Sequence, residues 1–354
     1  MNTILPDYRK KPRKRLNSVW VILSFGILAL TAGMGAEPVQ WGVNGHPLTQ
    51  EGYLDLPVGA QLDLVSELGA GWYRFDFNEK NVARCEELVA EAERRKIHLL
   101  PILDSSPGGR TEDAPPEQIR AAAFAFAKGV VGRFKGKITH WELSNELDEP
   151  AMIRKGEKTR SGKLWEWDAP DGSSPDDYEE SRYQKARAEI QGLHEGVKAA
   201  DPGALTIVDT AGWLHYGFIE RLVNEDKAAF DILSWHWYSE MGDLSAVQGK
   251  LDLVALLKRY GKPLWLTEIN RRDGSKHGKE MDQAQYMSKN VAKIAATPGI
   301  AALFIYELLD EPYFGEGESN YGLVEIVRDK HGKWQVSRKK QGFEACKTVI
   351  ASGH

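Results

Sequence analysis

From Val39 onward the chain alternates short apolar runs with longer amphipathic ones, and the alternation repeats eight times. A short run rich in β-branched and aromatic residues, bounded by turn residues, reads as a strand; a longer run with 3.6-residue periodicity reads as a helix. The strand candidates are 40–46 (QWGVNGH), 71–77 (GWYRFDF), 97–104 (IHLLPILD), 138–146 (ITHWELSNE), 204–210 (ALTIVDT), 230–238 (FDILSWHWY), 263–270 (PLWLTEIN) and 301–309 (AALFIYELL). Helices are expected at about 60–68, 82–95, 116–134, 176–200, 216–224, 244–260, 281–296 and 339–351. Strands joined by crossover helices pair in parallel. Eight such units in about 315 residues match an α/β fold of the (β/α)8 TIM barrel type, a single domain over 37–354. The rival is a doubly wound open sheet. No strand is followed by a Gly-x-Gly-x-x-Gly turn, so dinucleotide binding lacks its mechanism.

Ahead of the repeats, the first 17 residues carry six Lys/Arg against the single acid Asp7. They run into the uncharged, mostly apolar stretch Val19–Met34. Residues 1–36 therefore read as an export signal with a small-residue cleavage site near Ala36, or as an uncleaved N-terminal membrane anchor. Either reading puts the body outside the cytoplasm, periplasmic or extracellular, with the membrane met only through the leader. The whole chain has a net charge of −5, and removing the leader's surplus of five positive charges leaves the body at −10. Such a body gives no reason to expect a nucleic-acid partner. The only two cysteines, Cys85 and Cys346, fall in helices that are not neighbours in a barrel, so free thiols are expected. No Cys/His spacing suits zinc, and neither a metal nor a cofactor is expected.

Insertions lie where a barrel places function, beyond strand C-termini: 147–175 after the fourth strand and 310–336 after the eighth. Period two assigns faces. In the fourth strand Glu142, Ser144 and Glu146 share one face, while Trp141, Leu143 and Asn145 share the other. In the seventh, Leu264, Leu266 and Glu268 form one row ending in a second carboxylate. Two glutamates then oppose each other over the barrel mouth. Such a pair suits glycosidic bond cleavage, in which one acid protonates the leaving oxygen and the other attacks the anomeric carbon or directs water to it. Glu146, ahead of the acids Asp148 and Glu149, is expected to hold its proton; Glu268, ahead of Arg271 and Arg272, is expected to be ionised.

Other inward positions are polar as well: Arg74 and Asp76 on the second strand, Asp104 ending the third, Asp209 ending the fifth, and His236 and Tyr238 ending the sixth. A barrel interior is ordinarily filled with branched apolar side chains, so charges there must be paired or functional. Arg74 is expected to pair with buried Glu142, and His236 with Tyr238 to form a hydrogen-bonding pair near the nucleophile. The chain is also rich in aromatics, with 11 Trp, and sugar rings stack on such faces. Trp165, Trp167, Trp213 and Tyr306 are candidate platforms, whereas Trp235, Trp237 and Trp265 are expected to point outward beneath helices.

The combination of WELSNE on the fourth strand, SWHWY on the sixth, LTE on the seventh and an aromatic ending the eighth resembles clan A glycoside hydrolases, the (β/α)8 retaining group that includes families 5 and 39. The resemblance runs from Trp41 to about Ile350. It implies that Glu146 is the acid/base, Glu268 the nucleophile and Asn145 the residue holding the sugar 2-hydroxyl, with His236, Tyr238 and Arg74 in support. Family 5 members usually carry a His near Asp104 and a Trp where this chain has Tyr306 followed by Glu307; this favours a family 39-like or an unassigned member. Asp104 and Glu307 are expected on the substrate side with Trp213 and Tyr306. The partner implied is a poly- or oligosaccharide, cleaved by a monomeric retaining β-glycoside hydrolase, and the open acidic and aromatic loops favour endo over exo action. The alternatives are a transglycosylase on the same scaffold, and a non-catalytic sugar-binding barrel at a polysaccharide export site.

Overall fold

Each of the eight apolar runs forms a strand, most of them trimmed at their ends. The computed structural model describes residues 38–104, 114–168, 170–315 and 318–353. The expected leader, residues 1–36, lies outside them. The strands are β1 (Gln40–Asn44), β2 (Trp72–Asp76), β3 (His98–Leu103), β4 (His140–Leu143), β5 (Leu205–Val208), β6 (Ile232–Tyr238), β7 (Leu264–Asn270) and β8 (Ile300–Ile305). Neighbours in sequence pair in parallel, and β8 pairs with β1, so the sheet closes into a barrel and the open doubly wound alternative is excluded. Among the described residues no helix is long and apolar enough to cross a membrane.

Crossover helices set the spacing of the strands. The longest contact joins helix Pro116–Arg133, started by a proline whose missing N–H costs nothing at a first turn, to helix Glu180–Ala200. These two helices flank β4. A Cβ on Gly192 would stand 2.3 Å from the Arg120 carbonyl oxygen, and one on Gly196 2.5 Å from that of Phe124. Glycine at both positions lets the two helix backbones approach this closely.

Inside the barrel the N-terminal half is apolar and the C-terminal half is not. Trp72, Leu100, Ile207, Ile232, Trp265, Ala302 and Phe304 form one buried interior cluster, separate from the larger cluster beneath the helices. Above it lie buried polar side chains: Arg74, Glu142, Asp209, Ser234, His236, Thr267 and Glu268.

Strand β7 departs from the expected alternation. Trp265 faces inward, against Trp72 at 5.2 Å and Phe304 at 5.8 Å between ring centroids, instead of lying under a helix with Trp235 and Trp237. Leu264 and Leu266 accordingly face outward. Glu268 nevertheless points in, because the pairing with β6 slips: Ser234 opposes Trp265 and His236 opposes Glu268, two residues against three. A bulge of this kind inserts one residue and reverses the side-chain parity beyond it. The row Leu264, Leu266, Glu268 is therefore split, and Glu268 owes its place to the bulge.

Two further differences concern the flanks. Of the helix expected over 244–260, only Leu253–Leu257 and a following turn at Lys258–Tyr260 are helical; before them Val247 bridges Leu251 around Gln248 (φ 51°) and Gly249 (φ 74°). The insertion after β8 contains an antiparallel hairpin, β9 (Val324–Arg328) with β10 (Trp334–Lys339), turned at Gly332 (φ 79°). Its alternation, VEIV and WQVSRK around DKHG, was a readable hairpin signal. Lys340, at the hairpin's exit, is buried with its ammonium on Asp310 Oδ1 (2.7 Å), Ser275 Oγ (2.8 Å) and the Asn320 carbonyl (3.2 Å).

Candidate active site

Strand β4 stops at Leu143, and the chain then turns through two non-glycine residues in the left-handed region, Ser144 (φ 66°) and Glu146 (φ 50°). Each such residue costs of order 1–3 kcal/mol and persists only where its surroundings hold it. Here the Glu146 backbone N–H donates to Asp209 Oδ1 at 3.2 Å. The turn ends the period-two pattern, so Asn145 and Glu146, expected on opposite faces, both reach the site.

Arg74, 2% exposed, is the hub. Its Nε donates to Glu142 Oε2 (2.5 Å), Nη1 to Glu268 Oε1 (2.7 Å) and Nη2 to Asn145 Oδ1 (2.7 Å). The expected pairing with Glu142 is present, yet Arg74 also touches the site directly instead of only supporting it from below. Glu142 accepts a second bond from Thr267 Oγ1 (3.1 Å). Burial lifts the Glu142 carboxyl to about 7 against the pull of Arg74.

His236 is fully buried and stands among acids. Its Nδ1 lies 2.6 Å from Glu146 Oε1 and 3.6 Å from Glu268 Oε2, and its Nε2 is 3.3 Å from Asp209 Oδ2. Burial opposes the charge, but Glu268, Asp209 and Glu146 outweigh it and hold the imidazole protonated, well above its ordinary range. Glu268 shows the converse balance. Burial raises its carboxyl, while His236, Arg74 and the Tyr238 hydroxyl, which donates to Oε2 at 2.6 Å, bring it below the ordinary carboxylate range. The cations that hold Glu268 ionised are thus Arg74 and His236. Arg271, expected in that role, donates to the carbonyls of Arg272 and Gly274.

Asp148, expected to bear on Glu146, is turned away and buried, with His215 Nδ1 at 2.5 Å and the Ala211 N–H at 3.1 Å. Glu146 and Glu268 carry oxygens within 4.8 Å of one another, with His236 Nδ1 between them. A pocket opens beside Glu268, lined by Asn44, His46, Arg74, Asn145, Glu268 and Tyr306. With Oδ1 committed to Arg74, the Asn145 amide has its NH2 left to donate.

The remaining expected residues lie around this centre. Tyr306 lines the pocket, edge-on to Tyr238 and Tyr321, its hydroxyl donating to Glu318 at 3.0 Å. Glu307 does not line it; fully buried, it accepts from the Tyr53 hydroxyl at 2.8 Å. Asp104 follows β3, half-buried at the C-terminal rim. Trp165 donates to the Asp168 carbonyl at 2.9 Å, and Trp167 and Trp213 are 70% and 44% exposed; none of the three lines the pocket beside Glu268. Asn44 and His46 were missed by sequence reasoning. Both end the inward row of β1, so the period-two rule used for the other strands could have found them.

Among the described residues, three groups of side chains bring donor atoms within 4.8 Å of each other: Glu142 with Asp209 and His236, Glu146 with His236 and Glu268, and His46 with Glu307 and Glu311. In the first two the cations Arg74 and His236 already stand among the acids.

Residues 141–319 match the model of a family described as glycosyl hydrolase catalytic core. No curated protein matches the chain. Among solved structures, the chain is similar to a family 39 glycoside hydrolase from the gut symbiont Bacteroides cellulosilyticus WH2, with TM-score 0.62 and 17% identity over 89% of this chain. This chain spans 64% of that structure's length. It is also similar to xylanase 10B from Thermotoga petrophila RKU-1 (TM-score 0.59, 17% identity, 89% of this chain and 94% of that one). A third similar structure is the family 1 β-glucosidase from Thermotoga maritima (TM-score 0.62, 11% identity, 90% and 98%). At these identities the likeness is one of fold.

Proposed function

Because the chain belongs to the glycosyl hydrolase catalytic core family and is a glycoside hydrolase acting on carbohydrate, we propose that it is a retaining β-glycosidase working by double displacement, with Glu268 as nucleophile and Glu146 as acid/base. The observation that carries this reading is the pair itself: oxygens within 4.8 Å, one carboxyl held ionised and the other hydrogen-bonded to a protonated imidazole. Retaining enzymes keep their carboxyls about 5–5.5 Å apart, whereas inverting ones leave roughly 6.5–9.5 Å for a water.

In the first step a Glu268 oxygen bonds to the anomeric carbon, the glycosidic C–O bond breaks, and Glu146 passes its proton to the departing oxygen. As Glu268 loses its charge, His236 loses the strongest attraction holding its own proton. The charge Glu146 gains on giving up its proton takes that place: His236 Nδ1, 2.6 Å from Glu146 Oε1, holds the carboxylate ionised until water arrives. In the second step water attacks the anomeric carbon, Glu146 takes its proton, and the Glu268 carboxylate leaves. The free Asn145 NH2 is placed to donate to a sugar hydroxyl beside Glu268.

The substrate proposed is an exported poly- or oligosaccharide, cleaved internally by a monomer outside the cytoplasm. The basic head and apolar stretch of residues 1–36 support the location, and the exposed Trp167 and Trp213 support a long substrate. Hydrolysis of a polysaccharide panel by the full-length chain tests the reading, with the first-formed anomer followed by NMR. Glu268→Gln is expected to lose about a thousandfold or more in rate, several kcal/mol of barrier, and the β-anomer to appear first. A negligible loss, or the α-anomer first, would sink it.

A further inference from the structure

The end of β1 and the turn after β8 hold a cluster that the double displacement does not use. His46 Nδ1 lies 2.6 Å from Asp76 Oδ2, which aims Nε2 at Glu307, whose Oε2 is 3.4 Å away. That gap is an ion-pair distance with no hydrogen bond across it, and both His46 Nε2 and Glu307 Oε1 are buried without a hydrogen-bond partner. Glu307 itself is fully buried. Glu311 brings a third donor, and one atom from each of the three side chains lies within 4.8 Å of the other two.

Each donor is also held from behind. Asp76 backs His46, the Tyr53 hydroxyl donates to Glu307 Oε2 at 2.8 Å, and the Tyr313 hydroxyl donates to Glu311 Oε1 at 3.1 Å. A carboxylate on the far ring nitrogen is what orients an imidazole toward a metal and strengthens it as a ligand. Two donors at about 2.1 Å from one tetrahedral ion stand about 3.4 Å apart, the separation between His46 Nε2 and Glu307 Oε2. His46, which can itself carry a proton, lies within reach of both carboxyls, so a bound ion would take the place of the proton on Nε2.

We infer that His46, Glu307 and Glu311 form a binding site for one divalent cation, Zn²⁺ or Mn²⁺. One imidazole and two carboxylates suit these ions better than Ca²⁺, which takes six to eight oxygens. The site ties the end of β1 to the turn after β8, and His46 shares it with the wall of the sugar pocket.

The untagged full-length chain, stripped with a chelator, is titrated with MnCl2 or ZnCl2 by calorimetry while its melting temperature is followed. One equivalent is expected to bind and raise the melting temperature, with affinity at least tenfold weaker in Glu311→Gln and unchanged in Glu268→Gln. Tyr53→Phe removes the hydroxyl on Glu307 but no ligand, is expected to weaken binding about tenfold, and serves if Glu311→Gln does not fold. Absence of both heat and melting shift at millimolar metal would overturn the proposal. So would binding that survives both Glu311→Gln and Tyr53→Phe, or that is lost in Glu268→Gln, which would place the ion at the catalytic pair.

Discussion

Asp209 shows how much of the site depends on a residue that touches neither carbon nor leaving group. One oxygen holds the Glu146 backbone in its left-handed turn, and the other lies 3.3 Å from His236 Nε2. With Nε2–H directed at Asp209, Nδ1–H is the one directed at Glu146. The charged groups around His236 are Glu146, Asp209, Glu268, Arg74 and Glu142, with the Tyr238 hydroxyl nearby. Asp209→Asn removes one carboxylate that favours the imidazolium, so the imidazole releases its proton at lower pH. The alkaline limb of the kcat/KM profile should therefore move down by about one unit or more, with the acid limb in place. A residue with only a packing role would lower the rate without moving that limb. At this scale the sequence was informative wherever alternation held: Arg74, Glu142, His236 and Tyr238 fall on the faces that period two assigns. It failed where the backbone leaves the strand region, because the left-handed residues Ser144 and Glu146 carry no mark in their identity.

Single elements place groups that alternation alone would misplace. The β7 bulge turns Glu268 inward although Leu264 and Leu266 face out. Nothing in LWLTEIN announces it; the pairing of β6 with β7 decides. The β9–β10 hairpin is fastened by the buried ion pair Lys340–Asp310, and that fastening holds the turn after β8 that carries Glu311. Removing one partner of a buried pair strands the other charge, at a cost of about 3–5 kcal/mol, whereas replacing both by apolar residues can be nearly neutral. Lys340→Met should accordingly lower stability to denaturant by roughly that amount, and Asp310→Leu combined with Lys340→Met should recover most of it. Equal losses in the single and double variants would show that the pair does not fasten the hairpin.

Across the whole molecule the barrel joins strands remote in sequence through its polar upper half, where Arg74 of β2, Glu142 of β4 and Thr267 of β7 meet. Glu142 is fully buried there, its carboxyl lifted to about 7 from an ordinary 4.5. A carboxyl whose folded pKa is raised contributes stability that is full below about 4.5 and is lost as pH rises through about 7. Melting temperature should therefore fall across that window more steeply in the native chain than in Glu142→Gln, and parallel curves would refute the assignment. The glycoside hydrolase reading drawn from a few strand-end motifs holds at this scale too: the match to the glycosyl hydrolase catalytic core covers 141–319 and the barrel closes as expected. The sequence by itself determined the eightfold alternation, and with it a parallel sheet with crossover helices and the strand ends where the acids lie, because hydrophobic period and crossover connection are local properties of the chain. Only the tertiary structure decided that Glu268 faces Glu146, that Arg74 and His236 keep it ionised, and that His46, Glu307 and Glu311 converge. Those outcomes rest on register, on a bulge and on distances between strands far apart in the chain, which no local pattern encodes.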